Sequence, residues 1–209
     1  MSQFRARHSS RTASLSAIAL LLLVTGAAAP VTANAEALPI ATKILPGSVG
    51  PFVIGQPYEA GALPADYQAT RQDEIAFFEG DEYVETRLSL QHQGRDALIA
   101  TAFEDNGQLV VAKIRVLDEQ FSTSDGFRVG TPLSEILRSH PKSEIGYSYL
   151  IGDFVVVDTV HPGLQDVLFI IDLEDFGGDP ELLECDYDFC PLPADSFRRD
   201  TSIREVRIY

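Results

Sequence analysis

Two cysteines, Cys185 and Cys190, are the side chains best suited to covalent chemistry, and they lie close together in the sequence. In an exported protein, an oxidising compartment favours a disulfide between two such cysteines. A redox-active pair is the alternative, but redox pairs usually have two intervening residues, and the acidic neighbours here disfavour the reactive thiolate. The spacing therefore predicts a local disulfide that shapes the surrounding loop.

The cysteines lie within a strongly acidic stretch. Residues 166–195 contain ten Asp and Glu residues and no Lys or Arg. Calcium binds carboxylate and carbonyl oxygens, and four of these acids flank a flexible Gly-Gly pair. The spacing differs from an EF-hand loop, because Phe176 occupies the position where that loop needs an oxygen ligand. The candidate calcium ligands are Asp172, Glu174, Asp175 and Asp179.

The same stretch also has the character of a docking surface for a cationic protein. Between the cysteines, two acids alternate with two aromatic residues, in the order Asp186, Tyr187, Asp188, Phe189. Aromatic side chains often anchor protein interfaces, and surrounding charge steers an oppositely charged partner. A solvated acidic loop without a partner is the remaining interpretation.

Established catalytic motifs are absent from the sequence. There is no Gly-x-Ser-x-Gly, no His-Glu-x-x-His and no phosphate-binding glycine loop. His161 follows Asp158 closely, but it precedes Pro162-Gly163 and is therefore expected in an exposed turn. We expect no enzymatic activity and no cofactor other than calcium. A hydrolase that acts on an envelope polymer through unassigned carboxylates is a further alternative.

The N-terminus predicts export. Residues 1–35 contain three arginines and no acid, followed by an apolar run and by Ala33-Asn34-Ala35, the pattern of a cleaved secretory signal peptide. The apolar run is too short to span a bilayer, so no membrane span is expected. No cysteine lies near the cleavage site, so a lipid anchor is not expected there. Residues 36–46 are interpreted as a tether, and the protein is expected in the periplasm or outside the cell.

The net charge of residues 36–209 indicates which classes of partner the protein can bind. Residues 36–209 contain 13 Lys and Arg against 31 Asp and Glu, a net charge of −18. Nucleic acids and anionic lipids would be repelled, whereas cationic partners would be attracted. This charge favours a non-enzymatic binding protein for a cationic partner, of which an inhibitor of a basic enzyme such as a lysozyme is one example.

One seven-residue sequence pattern occurs twice in the chain. Residues 52–58 and 127–133 both read Phe-x-(Val/Ile)-Gly-x-Pro-(Tyr/Leu), which predicts a short strand, a glycine turn and a helix that begins at proline. Alternating strands with turn signals such as Asn106-Gly107 follow each copy. We therefore predict one α+β domain over residues 47–209, mostly antiparallel sheet, built from two pseudo-repeats at about 49–117 and 125–209.

Several motifs resemble a family of uncharacterised Gram-negative envelope proteins typified by the sigma-E-regulated outer-membrane lipoprotein. The most specific is the run from Ile114 to Asp118 that continues into residues 125–135, and weaker similarity lies in residues 63–67, 77–79 and 203–208. The resemblance implies a cell-envelope location and no particular activity or catalytic residue. The sequence departs from the typical member in having no lipidation cysteine.

Overall fold

Twelve β-strands and one α-helix form the part of the chain that the computed structural model describes, namely residues 40–59, 61, 63–78, 81–157, 161–185 and 187–209. The strands in the first half are β1 (Ile44–Leu45), β2 (Ser48–Val49), β3 (Phe52–Val53), β4 (Tyr67–Phe78), β5 (Asp81–His92), β6 (Arg95–Asp105) and β7 (Gln108–Val116). The second half contains α1 (Leu133–Ser139), β8 (Glu144–Ser148), β9 (Asp153–Val157), β10 (Val167–Ile171), β11 (Phe189–Pro191) and β12 (Ile203–Ile208).

Nine of these strands form one antiparallel sheet. Its order is β11-β8-β9-β10-β12-β7-β6-β5-β4, so β11 and β4 are the edges, and β1 to β3 form a separate small sheet. The hairpin between β6 and β7 turns at Asn106 and Gly107, whose φ angles of 51° and 78° match the type I′ turn that the Asn-Gly pair predicts. The antiparallel meander predicted for the first half is confirmed.

The α+β assignment is wrong. In the described part of the chain, helical structure is limited to α1 and four short 3₁₀ turns, so the fold is mostly β. The helix expected after Pro132 is present, with Leu133 and Ile136 buried on one face. The corresponding helix after Pro57 is absent: residues 58, 59, 61 and 63 are not helical. Gly61 and Pro64 disfavour a helix in that segment, and the strand-turn-helix unit is therefore not repeated.

The two glycine turns nevertheless make equivalent backbone contacts. Gly55 and Gly130 have φ angles of 74° and 86°, which the lack of a side chain permits. The N–H of Gly55 donates to the carbonyl of Val111 at 2.8 Å, and the N–H of Gly130 donates to the carbonyl of Ile203 at 2.7 Å. One turn is thereby attached to β7 and the other to β12.

Strands β7 and β12 pair with each other at the centre of the sheet. Ile114 lies opposite Ile208, and Arg115 lies opposite Arg207. Because side chains alternate along a strand, the aliphatic residues enter the core and the charged residues share the other face. The core face packs against α1, the small sheet and buried phenylalanines such as Phe121. The C-terminal strand is therefore internal to the sheet, between β10 and β7.

Residues 44–45 belong to this fold. Ile44 is only 2% exposed, and its N–H donates to the carbonyl of Ser122 at 2.8 Å. The tether predicted for residues 36–46 therefore ends before β1, while residues 36–39 lie outside the described part of the chain. All described residues belong to one compact unit. None of the helices in the described ranges has the length and apolar character needed to cross a bilayer.

Candidate functional site

The candidate site is the acidic segment, defined as residues 172–188 between β10 and β11. It contains two 3₁₀ turns, Leu173–Asp175 and Pro180–Leu183. Pro180 suits the first position of its turn because no N–H is needed there. The side chain of Asp179 accepts a hydrogen bond from the N–H of Glu181 at 3.0 Å, so it caps the same turn.

Covalent and polar contacts fix the end of the acidic segment to the sheet. Cys185 and Cys190 form a disulfide, which confirms the predicted pairing, and Cys190 is buried in β11. The N–H of Tyr149 donates to the carbonyl of Asp188 at 2.9 Å, and the Tyr149 hydroxyl donates to the carbonyl of Leu183. The segment is thereby held against the β8 to β11 edge of the sheet.

The start of the segment is held by an ion pair. A carboxylate oxygen of Asp175, which is buried, lies 2.5 Å from a guanidinium nitrogen of Arg198. Beside it, the ring of Phe176 stacks on Phe154 with centroids 5.0 Å apart. These contacts leave the middle of the segment facing solvent.

Most acids of the segment are exposed and unneutralised. The exposed acids are Asp172, Glu174, Asp179, Glu181, Glu184 and Asp188. Among the described residues, none of these six takes part in an ion pair. Exposed apolar side chains lie between them, namely Leu173, Leu182 and Tyr187, and Tyr187 is 75% exposed. The surface therefore combines negative charge with apolar contact area.

The four residues predicted to bind a partner have different surroundings. Tyr187 and Asp188 are exposed. Phe189 is half-buried in β11, and its ring lies against Gly146, where a Cβ atom would be only 2.4 Å from the Phe189 Cζ atom. Phe189 therefore packs on the sheet, and Tyr187 is the aromatic residue available to a partner. Asp186 lies outside the described residues.

The four predicted calcium ligands also have separate roles. Asp175 pairs with Arg198, Asp179 caps the second 3₁₀ turn, and Asp172 and Glu174 face solvent. Within the described ranges, no group of three or more His, Cys, Asp and Glu side chains is arranged to hold a metal ion. Calcium binding by this segment stays a prediction.

A network of charged residues lies on the sheet face opposite the core. It was not predicted from the sequence. Glu205 is 2% exposed and accepts two hydrogen bonds from Arg115, both at 2.8 Å, and one from Arg207 at 2.5 Å. Arg207 also donates to Asp153 at 2.6 Å, and Arg204 pairs with the same carboxylate. The network therefore links β7, β9 and β12.

The arginines hold Glu205 in its charged form. Burial alone would raise the pKa of Glu205, but hydrogen bonds from Arg115 and Arg207 hold that pKa below its ordinary value. In return, Glu205 raises the pKa of Arg115. The alternation of charged and aliphatic residues in β7 and β12 was visible in the sequence, but the partners of each charge depend on strand order and register. We interpret the network as structural.

A third polar site, a cavity beside His92, is relevant to the alternative that the protein is a hydrolase. A cavity of about 700 Å³ is lined by His92 together with charged residues that include Arg95, Asp118 and Arg128. His92 lies between Asp66 and Asp118, with nitrogen to oxygen distances of 3.5 and 3.4 Å. The described residues that line the cavity include no Ser, Thr or Cys that could act as a nucleophile. Because Asp96, Asp118 and Glu119 also line the cavity, a hydrolase that acts through carboxylates stays a prediction.

Comparison with known proteins shows a shared fold. The structure matches the crystal structure of the uncharacterized protein YfeY from Escherichia coli, with a TM-score of 0.50 and 15% sequence identity. The match covers 82% of this chain and 99% of that one. No family model matches the sequence, and no curated protein matches it.

This match agrees with the resemblance to uncharacterised Gram-negative proteins at the level of the fold. Because the two sequences are only 15% identical, the match supports no inference about a ligand, partner or reaction. Its function is therefore inferred from the surfaces of this chain.

Proposed function

We propose that this protein is a non-enzymatic binding protein of the cell envelope whose acidic segment docks a cationic protein. The observation that carries the proposal is the set of six exposed acids that alternate along the segment with the exposed residues Leu173, Leu182 and Tyr187. Burial of an aromatic side chain supplies affinity, and exposed carboxylates select a basic partner.

The contacts at the C-terminal end of the segment support this interpretation. The disulfide between Cys185 and Cys190 and the two hydrogen bonds from Tyr149 restrict the backbone around Tyr187. A surface that is ordered before binding loses less conformational entropy on association than a flexible loop. The acidic segment is thus better suited to recognition than a solvated loop of the same composition.

An exported location agrees with the chemistry of the chain. The disulfide is stable in an oxidising compartment such as the periplasm or the exterior. The basic and apolar pattern of residues 1–35 supports export by a cleaved signal peptide.

A salt-dependent binding experiment tests the proposal. Binding to a basic probe protein, a lysozyme, is measured by calorimetry at increasing NaCl concentration, for the purified chain and for the variant Glu174→Gln/Glu181→Gln/Glu184→Gln. Exposed interface charges contribute a few tenths to about 1 kcal/mol each, so the triple variant should bind at least about fivefold more weakly at low salt. Tyr187→Ala should weaken binding at every salt concentration.

A matched control separates local docking from bulk attraction. The variant Glu104→Gln/Glu119→Gln/Glu144→Gln removes the same charge from exposed residues outside the segment. It should bind the lysozyme nearly as well as the unmodified chain. Equal losses in both triple variants would show that only net charge matters, and an absence of binding would remove this basic enzyme as a partner.

The calcium alternative can be separated with the same protein. A titration with calcium should raise the melting temperature if residues 172–179 bind the metal, because a ligand that binds only the folded state stabilises it. An unchanged melting temperature at millimolar calcium would remove the calcium interpretation of the segment.

A further inference from the structure

Strand β4 is an unusually exposed edge of the main sheet. It is 12 residues long and pairs with β5 along its whole length, and in the described part of the chain no other strand pairs with it. Its side chains from residue 68 to residue 75 are all exposed. Soluble proteins usually protect a long edge strand with charged side chains, proline or a bulge, because its free N–H and C=O groups can pair with another chain. Strand β4 contains neither proline nor lysine, and its charged residues, Arg71, Asp73 and Glu74, lie only in its central part.

The far end of this strand carries an apolar patch. Ile75 lies directly opposite Val84 of β5, and Phe77 follows on the same face. Ile75 is 64% exposed and Phe77 is 69% exposed. Strand β6 pairs with β5 only from Thr86 to His92, so β4 and β5 form a two-stranded extension beyond Thr86. Such an extension is only marginally stable alone, so the patch and the open edge both favour an additional strand.

We propose that the partner is a second copy of this chain, paired through β4 in an antiparallel, two-fold symmetric arrangement centred on Gln72. In a two-fold pair of this kind the same residues from both copies face each other, and directly opposite residues share a sheet face. Centring on Gln72 places Arg71 opposite Asp73 of the second copy. The same register places Ala69 opposite Ile75 and Tyr67 opposite Phe77.

The charges of β4 select this register. A pairing centred on Arg71 places two arginines opposite each other, and pairings centred on Asp73 or Glu74 do the same with two carboxylates, which is unfavourable. A pairing centred on Ile75 uses only residues 72–78, and one centred on Thr70 leaves the apolar patch uncovered. Among registers centred on residues 70–75, only the one centred on Gln72 matches opposite charges and covers both Ile75 and Phe77.

Exchanging the charges of Arg71 and Asp73 tests the register that is centred on Gln72. Within each copy Arg71 pairs with Asp73 at 3.0 Å, and both side chains are about half exposed. Dimerisation of the purified chain is followed by sedimentation equilibrium. The variant Arg71→Asp turns two attractive cross-strand contacts into two repulsive ones and should weaken dimerisation about tenfold. The double variant Arg71→Asp/Asp73→Arg restores opposite charges and should recover affinity to within about threefold.

Two further variants complete the test. Ile75→Lys places a charge in the apolar patch and should abolish the dimer, whereas Arg199→Asp changes an exposed charge outside β4 and should leave it intact. Circular dichroism establishes that each variant is folded. A chain that is monomeric at all concentrations, or a dimer that is insensitive to Arg71→Asp and Ile75→Lys, would overturn the proposal. A double variant no tighter than Arg71→Asp alone would overturn the register.

Discussion

Arg115 and Glu205 form a bidentate ion pair across the centre of the sheet, with two N–O distances of 2.8 Å between residues 90 positions apart in the sequence. Glu205 is almost completely buried, and Arg115 is about one-third exposed. This pair joins β7 to β12 and therefore connects the two halves of the chain.

Replacing Glu205 should destabilise the protein strongly. In Glu205→Gln the side chain has nearly the same shape, but Arg115 loses its carboxylate partner and Arg207 keeps only Asp153. Breaking a buried pair costs about 3–5 kcal/mol, and the partial exposure of Arg115 lowers the expectation to about 2–4 kcal/mol. Urea unfolding measures this loss. Glu104→Gln, at an exposed position, should change the free energy of unfolding by less than about 0.5 kcal/mol.

The same carboxylate should make stability depend on pH in the acid range. The pKa of Glu205 is lower in the folded protein than its ordinary value, so its contribution is complete above the ordinary pKa of a glutamate, about 4.3. The contribution is lost as the pH falls through the folded pKa. Between about pH 5 and pH 3, the free energy of unfolding should therefore fall less steeply in Glu205→Gln than in the unmodified chain. Parallel curves would contradict this account of Glu205.

Removing the disulfide should loosen the acidic segment without unfolding the sheet. The pair Cys185→Ser/Cys190→Ser opens a loop of about six residues, and the loop-entropy model gives a loss of about 2 kcal/mol. Thermal unfolding should shift by roughly 4–8 °C for a domain of this size. If binding of the lysozyme depends on preorganisation, affinity should fall as well. Unchanged affinity would show that the order of this loop is not needed.

Strand β11 lies very close to β8 at Gly146. A larger residue there should displace the end of the acidic segment while the disulfide stays intact. A Cβ atom at Gly146 would lie 2.4 Å from the carbonyl oxygen of Cys190 and equally close to the Phe189 ring. Gly146→Ala should therefore displace β11 and cost about 1–3 kcal/mol. Gly107→Ala is not a suitable control, because the φ angle there is positive, whereas Gly61→Ala has open space and no such strain. Equal stability of Gly146→Ala and Gly61→Ala would contradict this packing.

The sequence predicts features that depend on local chemistry, and the structure agrees with them. The Asn106-Gly107 hairpin, the short helix after Pro132 and the disulfide between Cys185 and Cys190 are examples. Each is set by residues close together in the chain, where turn geometry or helix propensity decides the outcome.

Features that depend on long-range contacts could not be predicted from the sequence. The pattern at Phe52 matches the pattern at Phe127, but Pro57 forms a β-bridge with Val110, and the N–H of Tyr58 donates to the carbonyl of Leu109 in β7. The half-burial of Phe189 depends on β11 pairing with β8, and the partners of Glu205 depend on β12 lying beside β7. Strand order is not encoded locally, so these contacts required the structure.

Hydrogen exchange of the free chain and of the chain with bound lysozyme tests the proposed docking surface most directly. If the acidic segment binds the basic partner, amide protection should increase in residues 172–191 and in the adjoining turn around Tyr149, and this increase should disappear at high salt. Protection that appears elsewhere on the sheet while residues 172–191 stay unchanged would contradict the proposed site.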